Sequence, residues 1–265
     1  SPGFYAAPMV LLVMTLGLSV FFSSTAQTLD AHLYDQTHYQ FGADMIASPA
    51  IDAPTAQEGL PSAPPAGARG MEVPGWYAAP LADYLEIPGV HQAARVDRYS
   101  ASLRGASASA KGALLAVDPA RFGQVAFWRS EYALEPLGNL LNRLEYEQNG
   151  VLMPWTVFYQ QGLRLGDSVR VVATIWGQDV ELVLKVVGGF DLFPTWSPQY
   201  GPLFVMNLDY LHESVGIELP SWTWLKLEEG ADAEQMVKLV TQLNPQGVVS
   251  RPYYGGIAAE HSRPE

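Results

Sequence analysis

The sequence predicts an α+β protein. An apolar N-terminal helix runs on into a stalk, and a mixed α/β ectodomain of two small subdomains follows. Three observations predict this. The first of the 265 residues to carry a charge or an imidazole is Asp30. Beyond it, short β-patterned runs alternate with amphipathic helical runs. Between them lies a Pro- and Gly-rich stretch, 48–75, too poor in apolar residues to offset the entropy of ordering it.

Phe4 to Phe22 reads FYAAPMVLLVMTLGLSVFF, apolar apart from Thr15 and Ser19. As a helix it spans roughly 28 Å, close to the ~30 Å hydrocarbon core of a bilayer. The expected membrane anchor is therefore formed by Phe4, Leu11, Leu12, Leu16, Val20 and Phe22, with the lipid bilayer as partner of residues 4–22. Two alternatives stay open. Ser24-Thr25-Ala26 offers a small-x-small cleavage pattern, although no basic region precedes the apolar run. A buried core helix is the other, and 19 uncharged residues are long for one. Residues 23–45 carry the helix onward as a stalk, with Phe41-Gly42 as its stop.

The ectodomain elements follow in order. Ala43 to Ile46 begins a strand, and Pro80 to Glu86 is a short helix. Val90 to Leu103 holds a strand, 105–112 (GASASAKG) is a small-residue turn, and Leu114 to Val117 is another strand. Asp118-Pro119 caps a helix. Leu137, Leu140, Leu141 and Leu144 fall at i, i+3, i+4 and i+7, an amphipathic helix to Glu147. Val151 to Met153 is a short strand, with a helix at Val157 to Gln161. Ser168 to Ile175 and Val180 to Val187 form a hairpin across residues 176–179. Residues 203–208 make a strand, with Asp209 capping a helix to Val215. In the strand Trp222 to Leu227 both Trp222 and Trp224 point to one face, into a core. Ala231 to Leu243 is a helix. This divides the chain into the helix and stalk (1–42), a first part of the ectodomain (43–112), an inserted β-rich subdomain (113–190) and a second part (191–265).

The formal charge is −12 and the pI about 4.8. Nucleic acid is excluded as a partner, because phosphate backbones are bound through basic patches. With no cysteine there is no disulfide, thiolate metal site or cysteine nucleophile. Asp35 and His38, at i and i+3, share a helical face, but a metal needs three or more convergent ligands. Neither a G-x-S-x-G elbow nor a phosphate-cradling glycine loop is present, and 107–111 lacks S-x-x-K spacing. No catalytic, cofactor or metal residue is assigned. The aromatic, proline-rich segment 190–202 (FDLFPTWSPQYGP) is the candidate contact surface for a partner or apolar substrate, through Phe190, Phe193, Trp196 and Tyr200. A local core plug is the alternative. Trp76-Tyr77 and Tyr253-Tyr254 either lie at a bilayer interface or pack.

The order of motifs carries a family resemblance. The apolar helix runs into TLDAHLYDQTHYQFGADM, followed by IPGV, LLAVDPARF, VLMPWTVFYQQGLRLGDSVRV, VVGGFDLFP, PLFVMNLDYL and AEHSRPE. This resembles the extracytoplasmic domain, with first transmembrane helix, of FtsX-like, MacB-type ABC transporter permeases. The shared phrase is Gly162, Leu163, Gly166, Asp167, Val169 and Val171, then Val186, Val187 and Gly188. The resemblance implies a MacB-like periplasmic core and a location at the cell membrane, with the ectodomain on the extracytoplasmic side. It implies a non-catalytic chain that couples ATP-driven motion to export or extraction of a substrate, or to a periplasmic or extracellular partner. ATP would be bound on a separate ABC ATPase subunit, beside a second permease copy or homologue. Lipoproteins, peptides and amphiphilic molecules are the substrate classes implied. Such permeases have at least four membrane helices and one is found, so the chain corresponds to a fragment ending before the second. The alternatives are an anchored or secreted binding module, and an anchored hydrolase in which His91 or His212 meets a carboxylate and a nucleophile.

Overall fold

The computed structural model describes residues 6–51, 75–105, 111–253 and 256–261, with side chains from Met14 to Pro252 except within 26–27 and 29–34. Helix α1 covers Ala6–Phe41, 36 residues in one piece, or ~54 Å at ~1.5 Å per residue. Strand β1 (Met45–Ala47) follows. Strands β2 (Ala50–Ile51) and β3 (Trp76–Tyr77) pair as a two-residue ladder that closes the ends of the Pro-rich segment. Residues 52–74 of that segment, and 106–110 of the small-residue turn, lie outside the described residues.

The remaining elements are α2 (Leu81–Leu85), β4 (Val90–Leu103), β5 (Lys111–Val117), α3 (Pro119–Val125), α4 (Leu137–Tyr146), β6 (Gly150–Pro154) and α5 (Trp155–Gln160). Next come β7 (Ser168–Ile175), β8 (Gln178–Phe190), β9 (Leu203–Asn207), α6 (Leu208–Val215), β10 (Trp222–Leu227), α7 (Ala233–Leu243), β11 (Val248–Tyr253) and β12 (Gly256–His261).

Ten strands form one sheet in the order β12-β11-β1-β10-β4-β5-β9-β6-β8-β7, and β7 also pairs with β4. That extra pairing closes β4-β5-β9-β6-β8-β7 into a six-stranded ring. Strand β4 is long enough to serve both parts. Its residues 90–96 pair with β10, and its residues 100–103 pair with β7. Strands β6 to β8, from the 113–190 segment, thus share their ring with β4 and β9 from the segments on either side and with β5, which spans the 112/113 boundary.

Period-2 patterning explains the ring. In β7, Val169, Val171, Ala173 and Ile175 are buried, while Ser168, Arg170 and Thr174 face out. The inward residues of β4 to β9 make one core, which Leu208, Leu211 and Val215 of α6 complete at one end. A second core lies where the sheet branches. Phe122 of α3 and Leu137, Leu140, Leu141 and Leu144 of α4 pack there on Ala94, Val96, Leu115 and Trp224. A third core joins Met236, Val237 and Val240 of α7 and Tyr84 of α2 to the open part of the sheet.

Three readings are corrected, and one hairpin is added that the sequence reading did not assign. The β7–β8 turn is two residues, Trp176 (φ 47°) and Gly177 (φ 76°), because Gln178 and Asp179 pair with Ile175 and Thr174. Two positive-φ residues are what a tight right-twisted hairpin requires. Helix α6 is capped by Asn207, whose side chain accepts from the Asp209 and Tyr210 amides, so Asp209 is a first-turn residue. The residues of β11 and β12 carry no clear alternation in sequence, yet they form a hairpin beside β1. Trp222, the first residue of β10, is 49% exposed. Trp224 lies beneath Phe122 at a ring distance of 5.5 Å and is buried.

Candidate functional site

The structure gathers its most specific contacts where α1 meets the sheet. The C-terminal turn of α1 buries Phe41, and the chain leaves it through Gly42 at φ +90°. Glycine is required there. A Cβ would stand 2.5 Å from Trp224 Cη2 and 2.7 Å from Thr195 Cγ2. Three backbone and side-chain bonds fasten the turn. The Tyr39 hydroxyl donates to the Trp196 carbonyl at 2.6 Å. The Thr195 amide donates to the Tyr39 carbonyl, and the Phe127 amide to the Gly42 carbonyl, both at 2.7 Å. One turn earlier, Asp35 pairs with Arg129, which also holds Glu131 at 2.6 Å. Beyond the helix, Asp44 accepts from the Leu227 amide at 3.0 Å and pairs with Lys226.

Thr195 is the strained member of this joint. Its φ of 67° is a conformation that β-branched residues rarely adopt. It is held from both sides, by Tyr39 and by Arg98, whose guanidinium donates to the Thr195 carbonyl and hydroxyl. Surroundings that over-determine a strained residue are a recurring mark of functional joints. Burial pushes the Tyr39 phenol above its ordinary range and takes Tyr132, whose ring centroid is 5.3 Å from that of Tyr39, up to about 12. Asp35 raises the Arg129 guanidinium, with Glu131 adding to it.

The aromatic segment 190–202 is part of this joint. Phe190 and Phe193 are fully buried and Trp196 is 5% exposed, whereas Tyr200 is 70% exposed. The contact-surface reading is corrected for the first three. Phe193 packs on Phe122, Trp128 and Phe190, and the Trp196 indole donates to the Gly201 carbonyl. Their apolar area is used up inside the protein, and the backbone they anchor grips α1. Only Tyr200 remains on offer at the surface.

The anchor residues divide differently. Leu16, Val20 and Phe22 are 58–69% exposed, as are their neighbours Met14, Leu18 and Phe21 or nearly so, while the side chains of Phe4, Leu11 and Leu12 lie outside the described residues. Among the described residues no helix is long and apolar enough to cross a membrane. Successive residues turn by ~100° about the axis, so these exposed apolar side chains spread around most of the helix. Thr15 and Ser19 occupy the gap. Ser19 donates back to the Thr15 carbonyl, which removes its demand for water.

The other candidates resolve as follows. No group of three or more His, Asp or Glu residues converges among the described residues as a metal site would. Asp35 is taken by Arg129, and the His38 ring lies 5.7 Å from Phe127. His91 is exposed. His212 does meet a carboxylate: its Nε2 lies 3.2 Å from Oδ2 of buried Asp97, and the Tyr99 hydroxyl donates to the same oxygen at 3.4 Å. Among the described residues no Ser, Thr or Lys side chain bonds to His212. Burial and the neighbouring Asp97 push the Tyr99 phenol far up, so it stays a neutral donor. The dyad ties α6 to β4. Trp76 is half-buried and Tyr77 exposed; Tyr253 and Tyr254 lie outside the described side chains.

No family model and no curated protein matches the chain. Solved structures similar to it include a permease domain and two extracytoplasmic domains. One is a domain of a protein assigned as a permease from Porphyromonas gingivalis, 14% identical, covering 84% of this chain and 88% of that one at a TM-score of 0.41. Another is the extracellular domain of the noncanonic ABC-type transporter YknZ from Gram-positive bacteria, 12% identical, covering 75% and 91% at 0.43. A third is the periplasmic region of MacB from Actinobacillus actinomycetemcomitans, 7% identical, covering 83% and 90% at 0.39.

Proposed function

We propose that this chain is the extracytoplasmic domain of an ABC transporter permease subunit, held at the membrane by the apolar half of α1. Its role is mechanical: motion driven by an ATPase on a separate chain passes up α1 into the ectodomain. The observation that carries this reading is the division of one continuous helix. Along residues 14–22, the described side chains of its N-terminal half, apolar groups stand 56–71% exposed on most sides, which suits lipid. Its C-terminal end is locked into the sheet by Gly42, Tyr39 and the 190–202 segment. A helix resists bending, so displacement at one end reaches the other, and Pro8 and Gly17 are the weak points of the apolar half. The last strand, β12, extends the sheet on the side where α1 packs against β11 and β12. That supports two connections leaving on one side, as a permease with further membrane helices requires. The order of sequence motifs supports the family. Lipoproteins, peptides and amphiphilic molecules remain the substrate classes of the proposal, with no catalytic role for the chain.

The test is flotation with phosphatidylcholine vesicles. The 265-residue chain floats, and Val13→Arg, at the middle of residues 4–22, sinks a large part of it, since a central arginine costs insertion about 2.5–3.5 kcal/mol. Equal flotation of both, or none by either, overturns the anchor. For the coupling, Gly42→Ala in the transport-competent permease–ATPase complex is expected to abolish transport while ATPase binding persists.

A further inference from the structure

We infer that the outer face of α3 and α4 is a docking surface for a partner protein helix that presents a leucine-like side chain next to a lysine or arginine. Between the two helices runs a groove of about 400 Å³, floored by Leu137 and Leu141 and walled by Ala120, Gly123 and Gly138. The two glycines differ in an informative way. Gly123 is tight, because a Cβ there would stand 3.1 Å from Leu141 Cδ1 and that side chain would have to give by a few tenths of an ångström. Gly138 has open space around its missing Cβ, and its φ lies outside the left-handed region. Nothing inside the molecule asks for glycine at this position in the first turn of α4. What it keeps open is the groove.

Charge identifies the occupant. At the end of the groove stands Glu145, exposed and without a cation among the described residues. The nearest cations are committed elsewhere: Arg143 to Glu135 and Lys185 to Glu147, both at 2.5 Å. Glu145 also sits in the last turn of α4, where the helix dipole is already negative and a carboxylate is disfavoured. A second hollow of about 400 Å³ adjoins the first through Glu145 and is lined by Tyr146 and Tyr210. Tyr146 is 92% exposed. A partner ammonium or guanidinium placed between Glu145 and the Tyr146 ring gains both a charge pair and a cation–π contact. The aliphatic side chain two turns away on the partner then reaches the groove beside Gly138, seven residues and ~10 Å before Glu145 on α4. The acidic net charge of the chain draws such a partner in. This inference stands independently of what α1 does.

The test titrates the 265-residue chain, in detergent micelles, into a fluorescent amphipathic Leu/Lys helical peptide, read by anisotropy. A Leu/Glu peptide of the same pattern is the control, and the anisotropy of each peptide in chain-free micelles, which amphipathic helices also enter, is subtracted. The Leu/Lys peptide binds and weakens with salt; the Leu/Glu peptide does not bind. Glu145→Lys weakens binding about fivefold to tenfold, twice the effect of losing one exposed pair. Gly138→Leu fills the groove and abolishes binding while raising the thermal midpoint, because it improves the helix. The raised midpoint separates a blocked site from a damaged fold. Binding unchanged in both variants, equal binding of the two peptides, or no binding of the Leu/Lys peptide overturns the inference.

Discussion

Gly42→Ala is the sharpest perturbation of the joint between α1 and the sheet. Two costs add. An L-residue in the left-handed region costs about 1–2 kcal/mol. The new methyl also meets Trp224 Cη2 at 2.5 Å and Thr195 Cγ2 at 2.7 Å, where carbon atoms settle at ~3.5–4.0 Å. Trp224 is buried under Phe122, and Thr195 is held by Tyr39 and Arg98, so neither yields freely. Such overpacking costs typically about 1–3 kcal/mol. The expected loss is thus about 2–5 kcal/mol, out of a total of ~5–15 kcal/mol for an ordinary domain. Urea denaturation followed by tryptophan fluorescence reads it. Gly105→Ala is the matched control: its φ is +85° and a Cβ meets nothing within 4 Å, so it shows the backbone cost alone. If the two variants lose the same stability, the contact with Trp224 and Thr195 is not tight and the reasoning fails.

Further outcomes follow from the same geometry. Tyr39→Phe removes the hydroxyl bond to Trp196 and is expected to cost about 1 kcal/mol in the same denaturation assay; no change would mean that water replaces the bond. The Tyr132 phenol is raised to about 12 from an ordinary 10.0, so its contribution is complete below pH 10 and lost as the pH climbs towards 12. Stability measured across that window should fall, and Tyr132→Phe should flatten the fall; an unchanged slope in the variant would contradict it. Leu140 is fully buried at the branch of the sheet, and Leu140→Ala should cost about 2–5 kcal/mol in thermal unfolding.

Much of the fold is legible in sequence where pattern and chemistry agree. Val90–Leu103 reads as one strand and is one. Asp118-Pro119 announces a helix start, and the Asp118 side chain does accept from the Ala120 amide. The four leucines of α4 mark its buried face. What the sequence hides is long-range. Closure of the ring depends on β4 pairing with β7, some 70 residues on, which no local pattern records. Strands β11 and β12 are set by their place beside β1 rather than by their own periodicity. The segment 190–202 shows the limit most clearly. Its aromatic content is plain, but whether a ring faces water or core depends on Phe122 and Trp128, which lie far away in sequence. The grip of its backbone on Tyr39 has no sequence signal beyond Gly42, where a glycine after an apolar turn marks a required left-handed exit.

The central claim is that α1 and the ectodomain move as one body. The chain contains no cysteine, so Ser24→Cys and Lys238→Cys, at exposed positions on α1 and α7, give two unique spin-label sites. Pulsed dipolar spectroscopy measures the distance between them with the chain in lipid vesicles. The account predicts a single narrow distance, broadened when Gly42→Ala is added. A broad distribution in the otherwise unaltered chain would show that the helix swivels at Gly42, and the coupling role would be lost with it.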